Sequence, residues 1–515
     1  MSATPTNSAP APSRPASIYR DARTRDLRLT PNRTAAIGSG SILYPMTPSR
    51  LGWLVEPGSP TAELATLFDR AGHRLYLVGG SVRDAFLGRI HGDLDFTTDA
   101  RPEQIKAIVA PRATAVYTVG QAFGTIGLRL DEVQAEITTF RSEMYRDDSR
   151  KPHVTFSESL EEDLSRRDFT VNAIALGLPG LEPIDPFGGL ADLGRKVLRT
   201  PLDPEISFSD DPLRMLRLFR FQATLGFTAD ERALEAVANM HSRLAIISAE
   251  RIRDELSKLL EAPKPSKALK PVVGLGLADH LLPELPALAM EQDPVHHHKD
   301  VLSHTLAVVD KTSPDLVLRL AALFHDVGKP ATRAIGPEGV SFHHHEVVGA
   351  RMTRERLRAL RYPKEVVEQV GQLVFLHLRP HTLKMGWTDS AVRRYVRDSG
   401  PLLGRLNELV RCDVTTANRR KADAIGRRLE ELEERIVELA TREELASLRP
   451  PIDGHQVMNF LGIKPGPEVG EIMDILYEKR IEEGPFSEEE AFETVEAWAA
   501  KRGRDARRES REDPS

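Results

Sequence analysis

The spacing of apolar residues changes period several times along the chain, and each change predicts an element. Between Pro57 and Gly72 the run ELATLFDRAG repeats at helical spacing and predicts an amphipathic helix. Leu75-Tyr76-Leu77-Val78 is a continuous apolar run of strand length. Gly79-Gly80 breaks it, and Ser81-Val82-Arg83-Asp84 begins a second helix. The strand that follows carries Asp93 and Asp95 two residues apart, and alternation along a strand puts both carboxylates on one face. An αβ segment comes next, then VYTVGQAFGTIGLRL and VQAEITTFR, both rich in strand formers with a Gly-rich turn between them. Ser142 to His153 is polar, charged and turn-prone, whereas FTVNAIAL is too apolar for a solvated face. DPFGGLADLGRKVLRT closes this region with a turn and a final strand. From Ser209, which opens a helix, the period is helical: MLRLFRFQATLGF, ISAERIRDELSKLLEA, the long amphipathic RRLEELEERIVELATREELASL, and a helix–loop–helix around Lys464-Pro465-Gly466-Pro467. The expected class is α+β, a small head with a mixed or antiparallel sheet followed by an all-helical remainder.

At 515 residues the length favours three or four domains, and 40% hydrophobic residues are ample for their cores. A net charge of −6 excludes a polycation, so a nucleic acid would be held by local basic patches. Arg393 to Arg428, with ten Lys/Arg against four Asp/Glu, is a candidate phosphate patch or else a plain solvated face. The single cysteine, Cys412, excludes an internal disulfide and fits a reducing cytosol, so the expected location is cytoplasmic. No apolar run approaches a membrane span, since LVLRLAALF is broken by Arg319, and the N-terminus lacks the apolar core of a secretory signal. Residues 1–48, rich in Ala, Pro, Ser and Thr, are expected to be a disordered extension, and 501–515 a disordered end.

The candidate chemistry falls into two groups. In the first, backbone N–H groups of Gly79-Gly80 at a helix start can cradle phosphates. Asp93 and Asp95 can hold divalent ions beside them, and Glu136 is either a third carboxylate or an ordinary surface residue. In Arg166-Arg167-Asp168-Phe169-Thr170-Val171-Asn172, the arginines can neutralise phosphates, the Asp can accept from a ribose hydroxyl, and the Asn can donate or accept. Asp211 and Arg214 lie three apart on a helix face and can read a base edge. Cytosine and adenine offer an amino donor to the Asp and an acceptor to the Arg, while uracil and guanine oppose the carboxylate with a carbonyl. Asp before Pro is also a standard helix N-cap, and Asp211 can do both. The second group is His304, His325-Asp326 followed by Gly-Lys, one of His343–His345, His377 and Asp413, each on a separate helical segment. Spacing to Gly349 selects His345, and the run His296–His298 reads as polar surface.

Strand, Gly-Gly, Arg-Asp and Asp-x-Asp, with RRDFTxNAxA and Asp210-Asp211-Pro212-Leu213-Arg214, resembles the polymerase-β-like nucleotidyltransferases. More narrowly, it resembles the class II tRNA nucleotidyltransferase (CCA-adding enzyme) and bacterial poly(A) polymerase family over about Gly52 to Gly484. The resemblance implies a polymerase-β-like nucleotidyltransferase head at 49–203, a helical neck at 204–285, an HD metal-dependent phosphohydrolase-like body at 286–425 and a tRNA-gripping tail at 426–500. The implied reaction is template-independent addition of CCA to tRNA from CTP and ATP, by attack of the RNA 3′-hydroxyl on the α-phosphate with release of pyrophosphate. Asp93 and Asp95, with Glu136 as the candidate third carboxylate, would hold two Mg²⁺. Gly79, Gly80, Arg83 and Arg167 would position the triphosphate, Asp168 and Asn172 the sugar, and Asp211 and Arg214 the base, with Arg217 a further nucleotide contact. In the family a flexible loop at Ser142–His153 helps change nucleotide choice. The order His304, His325, Asp326, His345, His377, Asp413 is that of an HD-type metal site. It would take Ni²⁺, Mn²⁺ or Mg²⁺ and act on 2′,3′-cyclic or 2′-phosphate ends, or be structural. One branch of poly(A) polymerases has a paired basic element before a Phe where this chain reads Val119-Gly120-Gln121-Ala122-Phe123, a departure that favours CCA addition. The alternatives are a poly(A) polymerase, an HD-type hydrolase with a nucleotide-binding head, and an inactive RNA-binding scaffold. No membrane and no obligate protein partner is implied.

Overall fold

The computed structural model of the chain describes residues 51–89, 93–144, 153–290, 300–336, 339–382, 388–414, 419–443 and 448–502. The expected disorder of 1–48 lies outside the described residues, as do most of 501–515, most of the polar stretch Ser142–His153, and His296–His298. Among the described residues no helix is long and apolar enough to cross a membrane.

The head begins with α1 (Pro60–Arg70), where the Ser59 side chain accepts from the Ala62 N–H and Pro60 takes the first helical position. Then follow β1 (Leu75–Val78), α2 (Gly80–Phe86), β2 (Asp93–Thr98), α3 (Pro102–Val109), β3 (Ala115–Tyr117), β4 (Thr125–Leu130), β5 (Val133–Thr139), the hairpin β6 (Arg141–Met144) with β7 (His153–Phe156), α4 (Leu160–Ser165), β8 (Ala175–Gly177) and β9 (Glu182–Ile184). Seven of the strands form one sheet in the order β3-β4-β5-β2-β1-β8-β9. The β2–β5 pair is parallel and the other pairs are antiparallel, so the sheet is mixed, as expected. Period two does the sorting in β2. Leu94 and Phe96 enter a core with Leu64 and Phe68 of α1 and Ile105 and Val109 of α3, which leaves Asp93 and Asp95 on the opposite face.

The stretch after β9 differs from expectation. DPFGGLADLGRKVLRT contains a helix, α5 (Gly189–Arg195), and its strand β10 (Val197–Leu198) does not join the head sheet. Ser209 and Asp210 end α6 (Pro204–Asp210) rather than opening the next helix. Asp211, lying before a proline, is held extended (φ −141°, ψ 98°), so the helix breaks there and α7 (Leu213–Leu225) starts anew. β11 (Thr228–Ala229) pairs in parallel with β10. Then come α8 (Glu231–Met240), α9 (Ala249–Leu260), α10 (Ser266–Gly274), α11 (Ala278–Leu281), α12 (Val301–Lys311), α13 (Leu316–Phe324), α14 (Lys329–Thr332), the hairpin β12 (Ala334–Gly336) with β13 (Gly339–Ser341), α15 (His345–Ala359), α16 (Lys364–Leu376), α17 (Arg379–Thr382), α18 (Asp389–Ser399), α19 (Leu403–Asp413) and α20 (Arg419–Arg442). One continuous core runs from Phe169 through these helices to Leu448. α13 is buried on all sides, and its Arg319 is accommodated by donating to the carbonyls of Thr312, Ser313, Leu260 and Ala262.

The last three helices, α21 (Gly454–Leu461), α22 (Pro467–Glu483) and α23 (Glu488–Lys501), close a small core of their own around Ile472, Leu476, Val495 and Trp498. The Lys464–Pro467 turn joins α21 to α22, where the sequence places it. Glu443 fastens this tail to the body. Its carboxylate accepts from Arg393 (2.8 Å) and from Arg480 (3.0 Å), all three side chains being buried. The basic run is therefore not an open phosphate patch in its first half. Arg393, Arg394, Arg397, Arg405 and Arg411 pair with Glu443, Glu482, Glu478, Asp315 and Glu433, because packing faces acidic residues toward them.

Candidate active site and metal centre

A cleft of about 1140 Å³ opens on the carboxylate face of the head sheet, bounded on its far side by α7 and α9. Asp93, Asp95 and Glu136 meet there. Parallel pairing of β2 with β5 sets Asp95 opposite Glu136 and Asp93 opposite Gln134, which brings the three carboxylates to one side of two adjacent strands. Burial, then Asp95 and Asp93, push the Glu136 carboxyl above its ordinary range. Clustered carboxylates that repel one another in an open cleft are the donor set a divalent cation requires. Ser81 of α2 ties this strand to the turn before it, donating to the Asp93 carbonyl (3.1 Å) and accepting from the Asp95 N–H (3.2 Å).

Gly79 makes the turn possible. It has φ +74°, and a Cβ there would lie 3.1 Å from Arg167 Nη1 and 3.4 Å from Asp95 Oδ2. Arg167 thus stands directly over the Gly-Gly turn. It is oriented by Asp163 of α4, a fully buried carboxylate that accepts from Arg166 (2.8 Å) and Arg167 (3.3 Å).

Behind the turn a chain of hydrogen bonds links head and neck. Arg83 donates to Asp84 through Nε (2.9 Å) and Nη2 (2.7 Å), and through Nη1 to Asn172 Oδ1 (2.7 Å). Three of its five N–H groups are engaged in this way. Asn172 donates to Asp168 Oδ1 (2.8 Å), and Arg217 of α7 donates to Asp168 Oδ2 through Nε (2.9 Å) and Nη2 (2.6 Å). Arg217 also donates to Glu255 of α9 (3.0 Å), which accepts from Arg220 as well. Burial alone would raise the Asp168 carboxyl. The Arg217 guanidinium and Asn172 more than offset it and hold the group well below the usual carboxylate range. Asp211 does two jobs: Oδ1 accepts from the Leu213 N–H (3.2 Å) at the start of α7, and Oδ2 accepts from Arg251 of α9 (2.7 Å). Arg214 points into the same cleft and donates to Ser207 Oγ (2.9 Å) and to the Arg166 carbonyl.

Gly79, Gly80, Arg83, Asp93, Asp95, Glu136, Arg167, Asp168, Asn172, Asp211, Arg214 and Arg217 therefore all line one cleft. Four residues that place them are not singled out by the sequence reading: Asp163, Arg220, Arg251 and Glu255. Asp163 was detectable, lying three and four residues before the two arginines on one helical turn. The others come from helix faces with no local motif.

The second group also converges. His304 lies inside α12, His325 follows α13, His345 begins α15, His377 follows α16 and Asp413 ends α19. His304 Nε2 is 2.8 Å from Asp413 Oδ1 and 3.5 Å from Asp326 Oδ2, and His325 Nε2 is 3.2 Å from Asp326 Oδ2. His345 Nε2 lies 3.5 Å from Asp326 Oδ1. The ligating atoms of His304, His325 and Asp326, and those of Asp326, His345 and His377, lie within 4.8 Å of one another. Three imidazoles are oriented alike: Nδ1 of His325, His345 and His377 bonds the carbonyl three residues earlier, at 2.8, 2.8 and 2.6 Å, which turns each Nε2 inward. Nε2 of His345 and of His377 is buried without a hydrogen-bond partner. Burial, then His325, push the His377 imidazole down to about 3, so it stays a neutral donor. Inward lone pairs around a buried carboxylate fit a divalent metal. Gly328 permits the approach, since a Cβ on it would strike the His345 carbonyl at 2.2 Å. Of the three histidines 343–345, His345 is the one that reaches the cluster.

A mixed sheet that presents clustered carboxylates beside a Gly-Gly helix start, continued by a helical body with a His/Asp cluster, defines a nucleotidyltransferase with an HD domain. Residues 75–199 match the poly A polymerase head domain, 226–288 the probable RNA and SrmB- binding site of polymerase A, and 296–441 the HD domain. The A-adding tRNA nucleotidyltransferase of Deinococcus radiodurans is 36% identical over 437 residues, covering 82% of this chain and 95% of that protein. The CC-adding tRNA nucleotidyltransferase of Thermus thermophilus is 34% identical over 452 residues, covering 83% and 94%. The crystal structure of the Bacillus stearothermophilus CCA-adding enzyme in complex with CTP superimposes with a TM-score of 0.62 at 28% identity, over 86% of this chain and 98% of that one. The chain belongs to the family of class II CCA-adding enzymes, and it is a metal-dependent tRNA nucleotidyltransferase.

Proposed function

We propose that this chain completes the 3′ end of tRNA, adding CCA without a template from CTP and ATP. The observation that carries the reading is the single cleft in which Asp93, Asp95 and Glu136 face Arg167 over the Gly-Gly turn, with Asp211 and Arg214 beyond. The RNA 3′-hydroxyl oxygen bonds to the α-phosphorus, the bond from that phosphorus to the β-bridging oxygen breaks, and pyrophosphate leaves. Asp93, Asp95 and Glu136 would hold the divalent ions, with Mg²⁺ the expected metal, which when bound lower the pKa of the attacking hydroxyl and offset charge on the leaving phosphates. The Gly79-Gly80 backbone and Arg167 hold the triphosphate, with Arg83 at the cleft wall beside them. Asp168 and Asn172 take the ribose, positioned by Arg83 and Arg217. Asp211 and Arg214 select a base with an amino donor beside an acceptor, and Arg251 orients the carboxylate that does so. The working units are a head at 49–203, a neck at 204–285, a body at 286–425 and a tail at 426–500 that holds the outer part of tRNA.

His304, His325, Asp326, His345, His377 and Asp413 would hold a second divalent metal, Ni²⁺, Mn²⁺ or Mg²⁺, which when bound would supply hydrolysis of 2′,3′-cyclic or 2′-phosphate ends of RNA or else a structural tie. The unpartnered inward Nε2 atoms of His345 and His377 support this part of the reading. The cytoplasm is the location that suits this reading.

A second reading follows from the relatives, which include an A-adding and a CC-adding enzyme. The deciding experiment incubates the chain with Mg²⁺ and tRNA lacking its 3′ end, supplying CTP alone, ATP alone and both, and sequences the products. Two C residues and one A followed by arrest is the expected outcome. Addition of A alone to tRNA already ending in CC would move the assignment to an A-adding enzyme. A long run of A from ATP alone would make it a poly(A) polymerase.

A further inference from the structure

We infer that the exposed aromatic rim of the cleft, Tyr117 and Phe123 with Val119 between them, is where the last bases of the acceptor RNA stack. The inference rests on the transferase reading and adds to it the seat of the second substrate.

The strand order separates two sides of the reaction. In β3-β4-β5-β2-β1-β8-β9 the carboxylates sit on the middle strands β2 and β5. The groups suited to a triphosphate and its base lie to one side, Gly79 at the end of β1 and Asn172 just before β8. To the other side, next to Glu136, lie β4 and β3. Transfer requires the hydroxyl and the α-phosphate to approach the carboxylates from different directions, so the acceptor end enters over β4 and β3. That side presents apolar surface where the rest of the cleft presents charge. Val119 is 96% exposed, Tyr117 50% and Phe123 42%, and all three line the cleft. None of them serves a core.

A rim of aromatic rings suits this substrate chemically. The 3′ base is the tRNA's own last base at the first addition and cytosine at the next two, so hydrogen-bond readout suited to one would fail at the other, whereas stacking on an aromatic face accepts any base. The rim is also held in place before substrate arrives. Gln121, between the two rings, donates through Nε2 to Glu103 Oε1 (2.6 Å) and accepts from Lys106 Nζ (3.4 Å), both on α3. Gly124 turns the chain back at φ +82°, where a Cβ would meet Phe156 Cε1 at 2.7 Å. Arg141 donates to the Phe123 carbonyl and so ties the start of β6 to the rim.

The test uses the full chain and tRNA lacking its CCA end. Tyr117→Ala and Phe123→Ala are each expected to raise KM for tRNA about tenfold and to leave KM for CTP within about twofold; Tyr117→Phe should restore the wild-type value. In parallel, 2-aminopurine placed as the terminal base should be quenched on binding wild-type protein without nucleotide, and the quenching should be lost in both alanine variants. A raised KM for CTP with KM for tRNA unchanged would overturn the inference, and so would quenching that survives both substitutions. Should Phe123→Ala fail to fold, Tyr117→Ala, on an exposed edge strand, decides alone. Failure of the transferase reading looks different: the wild-type chain itself incorporates no nucleotide, while the fluorescence arm still reports where the RNA end sits.

Discussion

Replacing Arg217 with Met keeps an unbranched apolar stem of similar length and removes the charge that bridges head and neck. Three charge-assisted bonds disappear: two to Asp168, at 2.9 and 2.6 Å, and one to Glu255, at 3.0 Å. At about 1.5–3 kcal/mol each, the gross loss is about 5–9 kcal/mol. Several terms offset it. Met carries no guanidinium to desolvate, Asp168 keeps the Phe169 N–H and Asn172, and Glu255 keeps Arg220. The Arg217 side chain is also 30% exposed, so solvent screens part of the attraction. The expected net loss is about 3 kcal/mol, the low end of what breaking a buried ion pair costs. Because the chain has more than one core, global unfolding need not be two-state. The assay is therefore hydrogen exchange of peptides covering α7 and α9 over a urea series, which reads local opening. The effect depends on pH with a definite sign. The folded Asp168 carboxyl lies below its unfolded value of about 3.9. Its contribution is complete above that value and is lost as pH falls through the folded value. At pH 3, protonation of the unfolded chain alone removes about 1 kcal/mol from the wild type and much less from the variant, so the gap narrows from about 3 to about 2 kcal/mol. A gap under about 1 kcal/mol at pH 7, or one that is the same at both pH values, would refute the reasoning.

Asp93→Asn with Asp95→Asn should lower nucleotide incorporation by about 10³ or more while leaving hydrolysis of a 2′,3′-cyclic phosphate intact, since the two clusters share no residue; surviving transfer would mean the head assignment is wrong. Gly79→Ala forces an L side chain to φ +74° against Arg167 and should cost about 1–2 kcal/mol in stability, with KM for CTP and ATP raised, both read by melting and steady-state kinetics. Glu443→Ala leaves Arg393 and Arg480 buried beside each other. It should destabilise the tail by about 3–5 kcal/mol and speed limited proteolysis between body and tail. An unchanged cleavage rate would show that the tail is held by its apolar contacts instead.

How much of this was legible in advance follows from the range of each signal. The strand, the Gly-Gly turn and the helix start at Leu75–Asp84 are local, and so is the shared face of Asp93 and Asp95, since period two alone decides it. The break at Asp211-Pro212 was local as well: Asp before Pro reads as a cap with the helix starting just after it, and α7 does start at Leu213, while Ser209 and Asp210 belong to the helix before the break. DPFGGLADLGRKVLRT does end in the expected strand, but the short helix α5 before it went unread, and the strand's partner β11 lies about thirty residues on, which spacing in a sequence does not reveal.

The residues and their periods by themselves determined the α+β class, the family, and the types of group in each cluster, because identity and local periodicity are properties of short stretches. Only the tertiary structure decided that Glu136 stands beside Asp95, since that depends on the register of a parallel pair whose strands lie some forty residues apart. It also decided that Arg251 joins the cleft lining while Glu255 holds Arg217 from behind, and that the first half of the basic run from Arg393 is neutralised by Glu443, Glu482, Glu478, Asp315 and Glu433. A charge has its role only once its neighbours are known, and the burial of apolar faces across the whole chain chooses those neighbours.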